Sequence, residues 1–259
     1  MNTESVLDYL NSDARIRLAL KAARQAGYES VELWHVAKPE HNASWRPFLD
    51  EAGLSCCAIH ELFEEVMADP AAVIDKANDV GCKILAIGRS RDTVWENLDS
   101  VKWLARQMNE LGARCEQAGI TLLYHNHNTE FVHTAGRAAL DIFFEETDPK
   151  LVGSELDAYW VQLSGANPVT WCQKLGKRLK ILHLKDVAVI GGDKENFIKR
   201  PVCTTLGLGN MELEPVIYAA EAAGCEWYAV ETCTDWIDND SLRCAKESFA
   251  YLAKTFCKN

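Results

Sequence analysis

In Lys180-Ile-Leu-His-Leu-Lys-Asp186, Leu182 and Leu184 fall on one side of an extended chain, and Ile181, His183 and Lys185 fall on the other. Successive strand residues point to opposite faces. A strand with leucines on one face and an ionisable row on the other suits a closed sheet with helices outside and chemistry inside. The stretches Thr121-Leu-Leu-Tyr-His-Asn-His127 and Glu226-Trp-Tyr-Ala-Val-Glu-Thr232 repeat the pattern. All three read as strands that aim histidine and carboxylate groups at one place.

The rest of the chain alternates in the same way. Residues 4–10 form a degraded first strand with a charge inside it. Ser12 and Asp13 cap a helix whose apolar stripe (Ile16, Leu18, Leu20, Ala23) ends at Gly27. Val31-Glu-Leu-Trp-His35 follows as a strand with Glu32 and Trp34 inward. A loop with Pro39 and a short helix to Gly53 lead to a strand over 54–60. Further helices are expected over 70–80, 93–118, 137–146, 168–175, 213–223 and 240–255, and further strands over 83–88, 121–127, 152–160, 180–186 and 226–232. In the 93–118 helix, Trp95, Leu98, Val101, Leu104 and Met108 recur at helical spacing and read as core. Eight strands alternating with helices imply a parallel sheet, and eight such units imply closure into a single-domain (β/α)₈ barrel with a weak first strand. A doubly wound open sheet is the structural alternative. No linker, charge block or low-complexity segment divides the chain, and its 259 residues are the usual size of one such barrel.

Charge and cysteine content narrow the function. With 38 acidic against 27 basic residues the formal charge is −11, which disfavours nucleic acid, whose binding rests on Lys and Arg neutralising phosphates. No signal-peptide pattern or uncharged apolar run long enough to span a bilayer is present. The ten cysteines include no C-x-x-C pair, and most sit beside apolar residues. They read as buried reduced thiols of a cytoplasmic protein.

Active sites of such barrels lie at the C-terminal ends of the strands. The ionisable residues expected there are His60, His125, His127, Glu130, Asp157, His183, Lys185, Asp186 and Glu231. One histidine at a strand end is more often structural than functional. Several converging with carboxylates are different, because unpaired buried charges cost several kcal/mol unless a cation offsets them. Glu155 and Asp157 share a face, and Glu231 shares one with the small Ala229. Nitrogen and carboxylate oxygen together suit a divalent ion, Mn²⁺ first, with Mg²⁺, Co²⁺ or Zn²⁺ as alternatives.

Five segments, Tyr124-His-Asn-His-Asn-Thr-Glu-Phe131, Glu155-Leu-Asp-Ala-Tyr-Trp-Val161, His183-Leu-Lys-Asp186, Leu206-Gly-Leu-Gly-Asn210 and Val230-Glu231, taken in that order, resemble the xylose-isomerase-like TIM-barrel family of sugar and sugar-phosphate isomerases, epimerases and inosose dehydratases. The resemblance covers the chain from about residue 20. It implies Asp157, His183 and Glu231 as metal ligands and a further ligand at the end of the strand over 121–127. Glu130 is placed there, with His125 or His127 as alternatives. On mechanistic grounds Glu231 and Glu130 are expected to be the acid/base pair and His60, His125, His127 and Lys185 to contact a small sugar substrate, with Trp160 as a stacking candidate whose default reading is packing. The eighth strand departs from the family pattern after Glu231, where Thr232 and Cys233 follow.

The expected reaction is metal-dependent isomerisation or epimerisation of a keto sugar or its derivative through an enediolate. A lyase or dehydratase acting on an inosose or 3-keto-glycoside is the alternative. A nuclease of the abasic-site type and a non-catalytic sugar-binding subunit stand behind both, and a homo-oligomer is compatible with all of them. Lys185 reads as a charged donor rather than a Schiff-base lysine. The Gly207-Leu-Gly209 segment, and Arg89 with Arg91, are phosphate candidates whose default readings are a plain turn and a solvated loop. Trp45 and Trp236 are further stacking candidates whose default is packing, with Trp236 the more exposed.

Overall fold

A computed structural model describes residues 1–34, 44–189, 191, 199–232 and 236–256. Seven parallel strands pair in chain order: β1 (Ser30–Trp34), β2 (Ser55–Leu62), β3 (Ile84–Arg89), β4 (Thr121–His125), β5 (Val152–Asp157), β6 (Leu179–Leu184) and β7 (Trp227–Val230). Helices cover the outside, so the sheet is buried on both faces, as a parallel sheet requires. The result is a TIM barrel with one degraded position. His35, Pro39 and Cys233, named above, lie outside the described residues.

That position belongs to the chain's first residues. The expected strand over 4–10 is instead a 3₁₀ helix, Thr3–Tyr9, with Asn2 Oδ1 accepting from Glu4 N at 2.7 Å. Ser5 and Val6 are both buried while Leu7 is 45% exposed, and two adjacent buried side chains break the alternation of a strand with one buried face. Closure falls to two residues. Asn2 N donates to Val230 O and Glu32 N donates to Met1 O, each at 2.9 Å, so the segment staples β7 to β1. The sheet is therefore nearly, rather than fully, ringed by strands.

Other elements follow the sequence closely. The first helix, α1 (Asp13–Ala26), stops at Gly27, whose φ of 117° is left-handed. The long helix, α2 (Leu98–Gln117), starts five residues later than expected, because the Asn97 side chain accepts from Asp99 N and Ser100 N and fixes the first turn there. Strand β5 ends at Asp157 instead of 160. There Asp157 Oδ1 accepts from Trp160 N at 3.1 Å and opens a short helix, Ala158–Leu163. Beyond β6, Asp186–Val189 and Pro201–Thr204 form an antiparallel ribbon in a segment expected to be irregular. Eight cysteines lie in described segments and all are free thiols.

Candidate metal centre

The inward side chains of β1, β2, β4, β5, β6 and β7 meet at the C-terminal mouth. Ligand atoms of Asp157, His183 and Glu231 lie within 4.8 Å of one another, and so do those of His60, His125, Glu155 and His183. His183 belongs to both groups. Its Nδ1 lies 2.7 Å from Glu231 Oε2 and its Nε2 lies 2.8 Å from Glu32 Oε2. His60 Nδ1 is 2.9 Å from both Glu32 Oε1 and Glu155 Oε2. Lys185 Nζ sits 2.6 Å from Glu231 Oε1 and 2.9 Å from Asp157 Oδ2.

The electrostatics are those of a buried acid cluster held together by protons. Burial drags His183 down, but Glu32 and Glu155 outweigh it and hold the imidazole well above its ordinary value. By the same balance His60 rises to about 10. Burial also works against the charged forms of Glu32 and Glu231. It is overcome by His183 at Glu32, and by Lys185 and His183 at Glu231, so both stay below the usual carboxylate range. His125 and His127 go the other way: burial depresses both, His127 to about 3. Two imidazolium protons thus occupy the electrostatic place of a dication. Glu155 is wholly buried, with Oε2 near His60, His125 and His183 at 2.9–3.4 Å, while Oε1 has no hydrogen-bond partner among the described residues. That is a costly state for a carboxylate, and one that a cation relieves. The donor set, imidazole nitrogen plus carboxylate oxygen, fits a divalent ion.

Above the cluster lies a cavity of about 350 Å³ walled in part by Glu4, His60, His127, Lys185 and Glu231. Trp160 is half-buried beside it, its ring 5.5 Å from that of His127 and 5.7 Å from Lys185 Nζ. Trp45 instead packs in the core against Phe48, and Trp236 is half-buried with Nε1 donating to Thr232 O.

Among the residues picked from sequence, His60, His125, Asp157, His183, Lys185 and Glu231 converge, with His127 and Trp160 at the wall. Glu130 does not join either group of ligand atoms. It is buried below the loop after β4, accepting from Tyr124 Oη at 2.9 Å, His127 N at 2.9 Å and Thr129 Oγ1 at 3.0 Å. Those donors engage its oxygens and fix the backbone of His127, so the member contributed by β4 is His125. Sequence reasoning passed over Glu32, Glu155 and Glu4 as site residues. Alternation had turned Glu32 inward and paired Glu155 with Asp157. Glu4, which lines the same cavity as Glu231 and is raised by its charge, lies in a segment with no periodicity to announce it.

The Gly207–Gly209 amides are engaged from within. Asp186 Oδ2 accepts from Gly207 N and Gly209 N, and Oδ1 from Met211 N and Val187 N, at 2.8–3.0 Å. A Cβ on Gly209 would come within 2.3 Å of Asp186 Oδ1. The chain's own carboxylate therefore sits where a phosphate would have to.

A family model described as the xylose isomerase-like TIM barrel matches residues 20–255. The chain belongs to that family. Within this xylose isomerase-like family it is 24% identical to an inosose dehydratase of Lacticaseibacillus casei over 282 residues, covering 98% of this chain and 94% of that protein. Among solved structures, a sugar phosphate isomerase/epimerase from Parabacteroides distasonis superposes with a TM-score of 0.78 at 24% identity, covering 99% of this chain and 93% of that one. A xylose isomerase-like TIM barrel protein from Mycobacterium smegmatis in complex with magnesium superposes with a TM-score of 0.73 at 17% identity, covering 98% and 94%. Among the described residues no helix is long and apolar enough to cross a membrane.

Proposed function

We propose that this chain is a divalent-metal-dependent enzyme that removes the proton next to the carbonyl of a polyhydroxy ketone and then expels water. The observation that carries the reading is the convergence of Asp157, His183 and Glu231 at the floor of a polar cavity. These three would hold the ion, with Glu155, His60 and His125 at hand on the other side of His183 and Glu32 orienting its far nitrogen. A bound Mn²⁺, or another ion of its class, would polarise neighbouring carbonyl and hydroxyl oxygens and so acidify the C–H beside them. The inosose dehydratase relative and the magnesium-bound neighbour support the dehydratase outcome and the metal respectively.

The chain's own groups divide the remaining work. Glu231, held as a carboxylate, accepts the proton as the C–H bond breaks and its electron pair moves toward the carbonyl oxygen. Lys185 Nζ donates to the oxygen that gains charge. Burial, then the charge of Glu231, raises Glu4 from 4.5 to about 7. It gives its proton to the departing β-hydroxyl, which leaves as water. Glu231 then passes its proton back to Glu4, which lines the same cavity, restoring both groups. Trp160, His125 and His127 bind the sugar face and hydroxyls, and Glu130 positions His127.

Isomerisation or epimerisation is the second reading, supported by the Parabacteroides distasonis neighbour. It needs the same first step but returns the proton to carbon. The two part in D₂O. With added Mn²⁺ and an inosose or keto sugar, dehydration gives a product one water lighter. Isomerisation keeps the elements of water and gives products heavier by the solvent deuterium they take up. Neither outcome across the substrate panel, with protein that holds its ion, sinks the enolising chemistry.

A further inference from the structure

The cavity is not uniform. Alternation places Ala86 and Gly88 on the inside of β3, where the neighbouring strands present His60 and His125. There Gly88 lets His60 Nε2 lie against the strand, and the rim above is formed by Arg89 and Arg91 with Trp34 and Leu62. The other basic groups of the cavity are matched: His60 by Glu32 and Glu155, Lys185 by Asp157 and Glu231. Among the described residues neither arginine side chain has a carboxylate in ion-pair range. Glu64, the acid that approaches their loop, is used on the backbone. Its Oε1 accepts from Ser90 Oγ at 3.1 Å, Arg91 N at 2.6 Å and Asp92 N at 3.4 Å. The loop is thereby pinned through its backbone, which leaves the guanidinium groups unpaired among the described residues.

We infer that Arg89 and Arg91 form a subsite for an anionic group, carboxylate or phosphomonoester, on the end of the substrate remote from the acid cluster. A site floor built from Glu32, Glu155, Asp157 and Glu231 repels a substrate anion, so an acidic ligand can enter in one orientation only. Guanidinium forks are matched to oxyanions, and the other anion candidate, the Gly207–Gly209 amides, is filled by Asp186. Gly88 lets His60 of the acid cluster lie against β3, and His60 and both arginines line the same cavity. The substrate class that follows is an acidic polyhydroxy ketone. The inference rests on this cavity being the substrate site.

The test is binding of inorganic phosphate and of malonate, titrated separately by calorimetry into the purified full chain at low ionic strength. Arg89→Gln, Arg91→Gln and the double variant are compared with Arg137→Gln, whose side chain pairs with Glu145 on the surface. Both rim arginines are exposed, so circular dichroism and the unfolding midpoint of these variants should match the parent. Saturable one-to-one binding of either probe, weakened about tenfold or more in the double variant and unchanged in Arg137→Gln, is expected. The preferred probe separates carboxylate from phosphate. No saturable binding of either, or equal affinity in the double variant, overturns the subsite. Arginine-dependent binding without turnover counts against the enolising chemistry alone. Turnover with arginine-independent binding counts against the subsite alone.

Discussion

Glu32 Oε2 and His183 Nε2, 151 residues apart in the chain, lie 2.8 Å from each other across the inside of the barrel. The contact fixes the imidazole so that its other nitrogen faces Glu231. Removing the charge without changing the shape, as in Glu32→Gln, leaves that orientation unsupported. Divalent-ion affinity is expected to fall by roughly 10- to 100-fold, the usual effect of losing an outer carboxylate behind a ligating histidine. Metal titration of a variant that keeps its circular dichroism spectrum checks this; undiminished affinity would remove Glu32 from the site.

Ion uptake should release protons. His60 rises to about 10 because Glu155 and Glu32 outweigh its burial, and His183 is raised as well. At neutral pH the metal-free cluster therefore carries protons that a cation must displace. Affinity should rise with pH between 6 and 8 (on the order of a proton displaced per ion, by the same principle). Calorimetry in buffers of differing ionisation enthalpy reads the number directly.

Glu4 predicts an opposite trend in stability. Its carboxyl is raised from 4.5 to about 7, first by burial and then by Glu231. The folded state binds this proton more tightly than the unfolded one, so the contribution is complete below 4.5 and is lost as pH rises through about 7. Glu4→Gln lacks the loss. In metal-free protein, denaturant unfolding at pH 4.5 and at pH 8 should show the variant gaining on the parent across that interval.

Gly88→Ala probes the contact of His60 with the β3 wall of the cavity. A Cβ there would lie 2.0 Å from His60 Nε2. The histidine must move, which breaks its contacts with Glu32 and Glu155. A cost of about 1–3 kcal/mol in stability is expected from overpacking, with weaker ion binding beside it. Thermal unfolding and metal titration together test this, and a variant that loses stability but keeps full ion affinity would show His60 to be outside the metal centre.

How far the sequence carried depends on whether a feature is local. The α1 boundaries were legible because Ser12 and Gly27 act through their own backbone. The His183 strand was legible because alternation is a property of neighbours. Asp157 misled at its C-terminal side: one carboxylate both ends a strand and caps the next helix, and only the first role shows in the pattern. Glu130 looked like the ligand of its strand because it is the first carboxylate after His125. In three dimensions Tyr124, His127 and Thr129 surround it. Glu32 faced inward by alternation, but its partners, His60 and His183, belong to other strands. Local patterning gives no sign of those pairings.

The two-residue staple between β7 and β1 ties together two things that a full strand would keep apart. Its backbone amides and carbonyls complete the ring, and two residues further along Glu4 reaches over the mouth. Any fluctuation that unhooks Asn2 from Val230 would draw that acid away from Glu231 in the same movement. If Glu4 carries a proton as proposed, the joint that closes the barrel also sets the position of that carrier.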